Sequence, residues 1–174
     1  MSIPEHLIAE TVAKQGITDA LMRSSHGIDR QNVDVLKSAY WDDATVDYGL
    51  FKGAAMEFCD FLMPGLAAFK ITQHSLSNIL IELRSDSEAK SETYVRAYHH
   101  SVGEDGKGAD MVVGGRYLDR MEKRGDVWRI AHRTYVMDWN TNSAGTAIWD
   151  DGLYAQLETR GTAHPNDPFD SFMA

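Results

Sequence analysis

The first third of the chain has hydrophobic residues at helical spacing. Between residues 5 and 25, apolar side chains recur every three or four positions, as they do on one face of a helix. A second helix, "VDVLKSAYW", is predicted behind Asn32, whose side chain suits an N-cap. Gly53 is expected to open a third helix, "AAMEFCDFLMPGLAAF", which Pro64 would break or kink because proline has no N–H to donate. Between these two helices, "DDATVDYG" predicts a short strand.

From residue 71 onward the pattern indicates strands. Four runs are rich in Val, Ile, Thr, Tyr and Trp: "ITQHSLSNILIELRSD", "AKSETYVRAYHHSVG", "ADMVVGGRYLDRMEKRG" and "DVWRIAHRTYVMDWNT". Turn-forming residues separate them, and Gly125 in "RGD" favours a tight hairpin because glycine accepts a positive φ. Helices followed by a four-stranded meander predict an α+β fold, a cone-shaped barrel in which a curved, mostly antiparallel sheet closes over the N-terminal helices. One domain, residues 1–174, is expected, with a core at about 5–140 and a C-terminal arm at 141–174.

Composition narrows the class of protein. The 174 residues are enough for one domain with a hydrophobic core. A formal net charge of −9 argues against nucleic acid or an anionic membrane as partner. Cys59 is the single cysteine, so an intramolecular disulfide and a thiolate metal cluster are excluded. Without a basic, apolar leader or an apolar run of membrane-spanning length, we expect a cytoplasmic location.

Strand alternation predicts which residues share a face. One face of the last predicted strand would carry Ala131, Arg133, Tyr135, Met137 and Trp139. Arg133 among such neighbours requires solvent or a partner charge. A structural ion pair across the sheet could come from Asp119, Glu122 or Asp138. By the same rule, His74 would share its face with Thr72, Leu76 and Asn78.

His74 is the candidate general base. An imidazole has an ordinary pKa of about 6.5, which makes it a natural proton acceptor at neutral pH. A carboxylate on its second nitrogen would fix the tautomer and stabilise the imidazolium. Asp29, at the link between the first two helices, would face the interior of the cone, although spacing alone does not pair the two residues. The alternatives are a strand histidine bonded to a backbone carbonyl and an aspartate that caps a helix.

Three segments resemble the SnoaL-like family of the nuclear-transport-factor-2-like superfamily. They are "GIDRQNVDVLKSAYWDDATVDYG", "ITQHSLSN" and "GGRYLDRMEKRGDVWRIAHRTYVMDW", within about residues 8–140, and the last is the most specific. The chain is similar to the hexachlorocyclohexane dehydrochlorinase, scytalone dehydratase and bile-acid dehydratase types of this family. The resemblance implies a lyase that works through an Asp–His dyad with no metal or organic cofactor.

The resemblance also implies roles for individual residues. Asp29 and His74 match the dyad, and Arg133 falls at the place of a pocket arginine of the dehydrochlorinase. Arg133 or Tyr48 would stabilise developing negative charge, with packing as the favoured alternative for Tyr48. Ser24 stands near the position of the dehydrochlorinase's lysine, which favours water or an aldehyde such as formaldehyde over halide as the leaving group.

The expected substrate is a small hydrophobic molecule, aromatic or alicyclic. The predicted substrate-binding residues are Tyr40, Phe58, Leu62, Phe69, His99, Tyr135 and Met137, with Phe61, Met63 and Trp139 completing the wall. His99 and His100 are not expected to bind one metal ion, because adjacent strand residues face opposite ways.

Other functions remain open at this point. An isomerase or polyketide-cyclase-type enzyme would use the same pocket without losing a leaving group. A non-catalytic ligand-binding module predicts that Asp29 and His74 do not touch, or that side chains fill the pocket. The small subunit of a ring-hydroxylating dioxygenase would have this cone in a structural role. We also expect a homo-oligomer, a trimer or dimer formed through the outer face of the sheet.

Overall fold

A curved six-stranded sheet wraps around three helices. The computed structural model describes residues 3–174. The helices are α1 (Glu5–Asp29), α2 (Val33–Ser38), α3 (Ala55–Leu66) and α4 (Pro168–Met173). The strands are β1 (Tyr40–Asp47), β2 (Lys52–Ala54), β3 (Ile71–Leu83), β4 (Glu88–Val102), β5 (Gly108–Arg124) and β6 (Val127–Ala144). The predicted α+β cone is therefore confirmed.

The first two helices end at places that the sequence pattern did not predict. Helix α1 continues four residues past position 25, so Asp29 is its last residue instead of lying in a link. Helix α2 ends at Ser38, and the predicted helical residues Tyr40 and Trp41 begin β1. Both aromatic side chains suit a strand that is half buried against the core. The predicted cap is confirmed, because Oδ1 of Asn32 accepts a hydrogen bond from the Val35 amide at 3.1 Å.

The third helix starts later than predicted. Gly53 lies in β2, which pairs antiparallel with β1, so the helix begins at Ala55. Pro64 lies inside α3 and does not break it, because the helix continues to Leu66. A proline in the last turn removes a single backbone hydrogen bond, which costs little where the helix is ending.

The sheet order is β2-β1-β6-β5-β4-β3. The four long strands form the predicted antiparallel meander, and Gly125 takes a φ of +63° in the last hairpin. The pairing of β1 with β6 is parallel, so the sheet is mixed. This pairing carries the inner face of the sheet round to β1 and so closes the cone on that side.

Three irregularities change which side chains face the interior. Asn78 has a φ of +47° at a register shift in β3, so it leaves the face that Thr72, His74 and Leu76 share. Register shifts near Ala131 and Asp138 interrupt the alternation of β6. Because of the second shift, Trp139 lies over Gly114 on the outer face of the sheet, where a Cβ on the glycine would meet the indole at 2.1 Å.

The C-terminal arm has more regular structure than the sequence pattern predicted. Strand β6 extends to Ala144, and the remaining residues include a 3-10 turn at Tyr154–Gln156 and helix α4. Arg160 organises the arm, since its guanidinium donates to the carbonyls of Trp149, Tyr154 and Leu157. Within residues 3–174, no helix combines the length and apolarity needed to cross a bilayer.

Close packing of α1 against α2 provides a test of the fold. A Cβ on Gly27 would lie 2.5 Å from the backbone nitrogen of Leu36, so Gly27→Ala must push the two helices apart. We expect this change to lower the free energy of unfolding in urea by about 1–3 kcal/mol. The matched control is Gly65→Ala in α3, where nothing lies within 4 Å of the added methyl group. Equal stability of the two variants would contradict this account of the α1–α2 contact.

Candidate active site

Asp29 and His74 meet inside the cone. Asp29 ends α1, and His74 lies near the start of β3, with the two side chains only 12% and 9% exposed. The His74 Nδ1 atom is 2.7 Å from Oδ1 of Asp29, and the His74 backbone amide donates to Oδ2 at 2.7 Å. Thr72 adds a third hydrogen bond, from its hydroxyl to Oδ1 at 3.2 Å. The structure therefore makes the pairing that sequence spacing could not settle, and adds Thr72, which the sequence analysis gave no role.

The carboxylate of Asp29 determines which ring nitrogen of His74 carries the proton. Burial raises the pKa of Asp29, but the hydrogen bonds from His74 and Thr72 outweigh it and hold the pKa below its ordinary value. Asp29 is therefore an acceptor, so the neutral His74 ring carries its proton on Nδ1. The opposite nitrogen, Nε2, makes no hydrogen bond to any group in residues 3–174. It is free to accept a proton from a bound molecule.

The inner face of the sheet is partly exposed at the end that carries the dyad and buried further along the strands. Cross-strand pairing places His74, Ala97 and Val113 in one row across the sheet. The neighbouring row begins at Leu76 on β3 and ends at Met137 on β6. Met137 is 58% exposed, and Leu76 and Val113 are partly exposed. Further along the strands lies a buried row, made by Ser91, Asp119 and Arg133. We call the partly exposed end the mouth.

Small residues line the sheet beside His74. Ala97 is the cross-strand partner of His74, and Val95 with Gly115 continues the adjacent row. Gly115 is required there, because a Cβ would lie 2.8 Å from the ring of Tyr135. Tyr135 is thus able to lie across the inner face, on the same surface as Met137. Both residues were predicted to bind substrate, and both line the inner face near the mouth.

His99 is a second imidazole at the mouth. Its ring centroid lies 5.5 Å from that of His74, with the rings nearly perpendicular, and Phe69 packs on its other side at 4.8 Å. Burial, together with the nearby His74, lowers the pKa of His99 to about 4, so the ring is neutral at pH 7. Its Nδ1 is buried without a hydrogen-bond partner in the described residues. His99 and Phe69 therefore lie where the sequence analysis expected substrate contacts.

Tyr48 lies in an aromatic stack deeper in the cone. Its ring stacks on Phe58 at 4.2 Å and on Tyr135 at 5.5 Å. Burial raises the pKa of Tyr48, and the positive charge of Arg133 opposes this without cancelling it. The hydroxyl is thus protonated, and it is buried close to Arg133 and Tyr40.

Arg133 is a buried structural residue. Its Nε and Nη2 atoms each donate to Asp119 at 2.8 Å, and Nη1 donates to Ser24 at 3.2 Å. The guanidinium also lies 3.9 Å from the ring centre of Tyr117. Asp119 neutralises the charge and the side chain is 0% exposed, so Arg133 has no surface with which to touch a substrate. The prediction that Arg133 contacts the substrate is therefore wrong. The alternative of a structural ion pair is correct, and Asp119 is the partner.

Several predicted wall residues do not line the mouth. Tyr40 and Phe58 are 0% and 1% exposed, and they pack in the core instead of on open space. Phe61 is 52% exposed and packs against Phe51, away from the sheet. Trp139 lies on the outer face for the reason given above. Leu62 and Met63 are partly buried on α3 and pack against the core.

The other histidines of the sheet face outward. His99 and His100 do point to opposite faces, and His100 pairs with Asp110 at 2.6 Å on the outer side. Tyr98 donates to the same carboxylate at 2.9 Å. Within the described part of the chain, no group of three or more His, Cys, Asp or Glu side chains is placed to hold a metal ion.

Comparison with known proteins identifies the family of this chain and one curated relative. Residues 9–134 match the family model of a SnoaL-like domain. The chain is 28% identical over 145 residues to terrestric acid biosynthesis cluster protein E of Penicillium crustosum, covering 79% of this chain and 91% of that protein.

Two solved structures share the fold. A protein assigned as a scytalone dehydratase from Novosphingobium aromaticivorans superimposes with a TM-score of 0.70 at 23% identity, over 81% of this chain and 94% of that one. The hexachlorocyclohexane dehydrochlorinase LinA-type3 from Novosphingobium barchaimii gives a TM-score of 0.71 at 20% identity, over 81% and 97%. At these identities the likeness establishes the fold.

The buried ion pair can be tested by removing one partner and then both. Asp119→Leu leaves the guanidinium unpaired in the core, so we expect a loss of about 3–5 kcal/mol in the free energy of unfolding. Asp119→Leu combined with Arg133→Met should recover much of that loss. As a control, Arg116→Met removes partly exposed ion pairs with Asp138 and Glu92 and should change stability by no more than about 1 kcal/mol. A double variant no more stable than Asp119→Leu would contradict this assignment.

The lowered pKa of His99 predicts a pH dependence of stability. The unfolded chain binds a proton on this ring at higher pH than the folded protein, so stability should fall as pH falls from 6.5 to about 4. Urea unfolding at pH values above and within this interval measures the loss. His99→Gln should show a smaller loss, and an NMR titration should place the His99 midpoint near the lower end. A midpoint at the upper end would contradict the burial of this ring.

Proposed function

The chain belongs to the SnoaL-like domain family, and we propose that it is a cofactor-independent lyase in which Asp29 and His74 act as an acid–base dyad. The single observation that carries the proposal is the 2.7 Å contact between His74 Nδ1 and Asp29, with Nε2 left free beside the mouth. The contact also weighs against a binding-only module, for which these two side chains were not expected to touch.

Each step of the proposed elimination has a group to carry it. Nε2 of His74 takes a proton from an acidic carbon of the substrate, and the C–H electron pair forms a C=C bond. The C–O bond breaks at the same time, and the departing hydroxide takes the proton from the imidazolium and leaves as water. Asp29 stabilises the imidazolium in between. If His74 instead takes a proton from a hydroxyl, the adjacent C–C bond breaks, an aldehyde leaves, and the remaining carbon takes the proton back.

In this proposal, catalysis rests on the dyad. A positioned general base contributes about 10²–10⁴-fold. The hydroxyl of Tyr48 is buried close to Arg133, so Tyr48 is left out of the step as a donor to the substrate. Arg133 is not included, because Asp119 neutralises it in the core.

The surroundings of the dyad favour a hydrophobic substrate with an oxygen-containing leaving group. Leu76 and Met137 on the inner face and Phe69 beside His99 offer apolar surface at this end of the sheet, which suits an aromatic or alicyclic ring. Ser24, at the position of the dehydrochlorinase's lysine, is buried and accepts a hydrogen bond from Arg133. It therefore brings no positive charge toward a departing halide, and we propose water or an aldehyde instead.

A mass-spectrometric screen of hydroxylated aromatic and alicyclic compounds tests this function. The native protein should convert a substrate to a product lighter by one small neutral molecule. His74→Ala should lower the rate by about 10²–10⁴-fold, because it removes the base. Asp29→Asn should keep the fold and also slow turnover strongly, because an amide does not stabilise the imidazolium.

The matched control is His132→Ala, which changes an outer-face histidine bonded to Thr45 and should leave turnover unchanged. A product of unchanged mass would support the isomerase or cyclase alternative. Equal turnover by native protein and His74→Ala would refute the proposed base.

A further inference from the structure

The dyad depends on the position of the end of helix α1. Asp29 is the last residue of α1, and terminal turns of helices open more readily than their middles because several backbone groups lack helical partners. A shift of the carboxylate by 1 Å would lengthen its hydrogen bonds to both the ring and the backbone of His74. The bonds of Asp29 to Thr72 and His74 and the packing of Gly27 on α2 hold this end from one side, and the C-terminal arm holds it from another.

The next residue, Arg30, is held at two points by the C-terminal arm. Its carbonyl oxygen accepts a hydrogen bond from the His164 amide at 2.7 Å. Its guanidinium binds Asp167 at 3.2 Å and lies 3.5 Å from the carbonyl oxygen of Thr162. The backbone and the side chain of the residue beside Asp29 are therefore both fixed by one segment, 161–170, which we call the brace.

The brace is itself ordered around Asp167. This side chain is 8% exposed, and it accepts hydrogen bonds from the amides of Thr162 at 2.8 Å and Phe169 at 2.9 Å. Burial raises the pKa of Asp167, but the two amides and Arg30 lower it further, so it stays a carboxylate. Gly161 allows the close approach, since a Cβ there would lie 2.7 Å from Nη1 of Arg30.

A second contact ties the brace to α1 one turn earlier. The ring of Phe169 packs on His26 with centroids 4.5 Å apart. His26 also accepts the amide of Arg30 through its carbonyl oxygen, in the same helical turn as Asp29. The last turn of α1 is thus held from the side by an aromatic contact and from its end by the Arg30 hydrogen bonds.

Building on the proposed function, we propose that Asp167 is a positioning residue for catalysis. Acting through Arg30, the brace holds the end of α1 so that the Asp29 carboxylate stays on Nδ1 of His74. The brace itself does not touch the substrate. Loosening it should therefore lower kcat while leaving KM nearly unchanged, and the fall in kcat should be about 10-fold to 100-fold, as for a misplaced catalytic group.

An NMR measurement on the full chain without substrate tests the positioning directly. The proton between His74 Nδ1 and Asp29 should give a downfield signal in the native protein. In Asp167→Ala and Arg30→Ala we expect it to broaden or move upfield. Arg30→Lys, which keeps a cation for Asp167, should recover part of the signal. The control is Asp150→Asn, which removes an ion pair with Arg160 in another part of the arm and should leave the signal unchanged.

Kinetics with any substrate found for the native protein then complete the test. A shifted signal together with a lower kcat supports the proposal. If the His74 signal shifts in the variants but the native protein turns over no compound, the positioning role is still supported. Only the lyase function is then contradicted. An unchanged His74 signal in both Asp167→Ala and Arg30→Ala overturns the proposal, whatever their turnover. If Asp167→Ala does not fold, Arg30→Ala provides the test. In that variant Asp167 still accepts the Phe169 amide at the start of α4.

Discussion

The Asp29 carboxylate joins the helical layer of this protein to its sheet. A buried carboxylate is unfavourable unless donors compensate for lost water, and Asp29 has three, from Thr72, the His74 ring and the His74 backbone. Because one donor is the strand's own amide, the helix end and the strand register are set together. A slip of one residue in β3 would turn His74 to the outer face and leave the carboxylate unpaired. The same hydrogen bonds that hold the fold here also orient the imidazole of His74.

A second buried charge lies deeper in the cone and has the opposite consequence. Asp119 neutralises the charge of Arg133, and the ring of Tyr117 covers the planar face of its guanidinium. The two imidazoles of the inner face, His74 and His99, lie at the other end, near the mouth. Ser24 contacts Arg133, and Asp29 lies five residues later on α1, which is about 7.5 Å along the helix axis. Helix α1 thus contacts the Arg133–Asp119 pair through Ser24 and contributes Asp29 to the pair with His74.

The sequence predicted the elements well where periodicity is strong and failed where geometry depends on partners. The four long strands and the cap at Asn32 follow from local pattern, and the pairing of Asp29 with His74 came from the family resemblance. The register shifts at Asn78 and Asp138 carry no signal in the residue types, so Asn78 and Trp139 were assigned to the wrong face. For Arg133, the strand pattern showed that a partner was needed but not which acid would be aligned with it. The brace was missed because its residues have no period, and its order comes from contacts with Arg30.

Pairing with a carboxylate does not by itself make a histidine catalytic, and this chain contains its own comparison. His100 has a shorter contact with Asp110, at 2.6 Å, than His74 has with Asp29. Its ring, however, is covered on the outer face by Trp149 and by the backbone of Gly108 and Gly145, where any Cβ would lie within 3 Å of it. His164 pairs with Asp170 at the surface, where water competes for the hydrogen bond. Only for His74 among these three do a buried carboxylate, a free second nitrogen and an adjoining opening of the cone occur together. That combination, and not the ion pair alone, is the physical basis for assigning the chemistry to this end of the molecule.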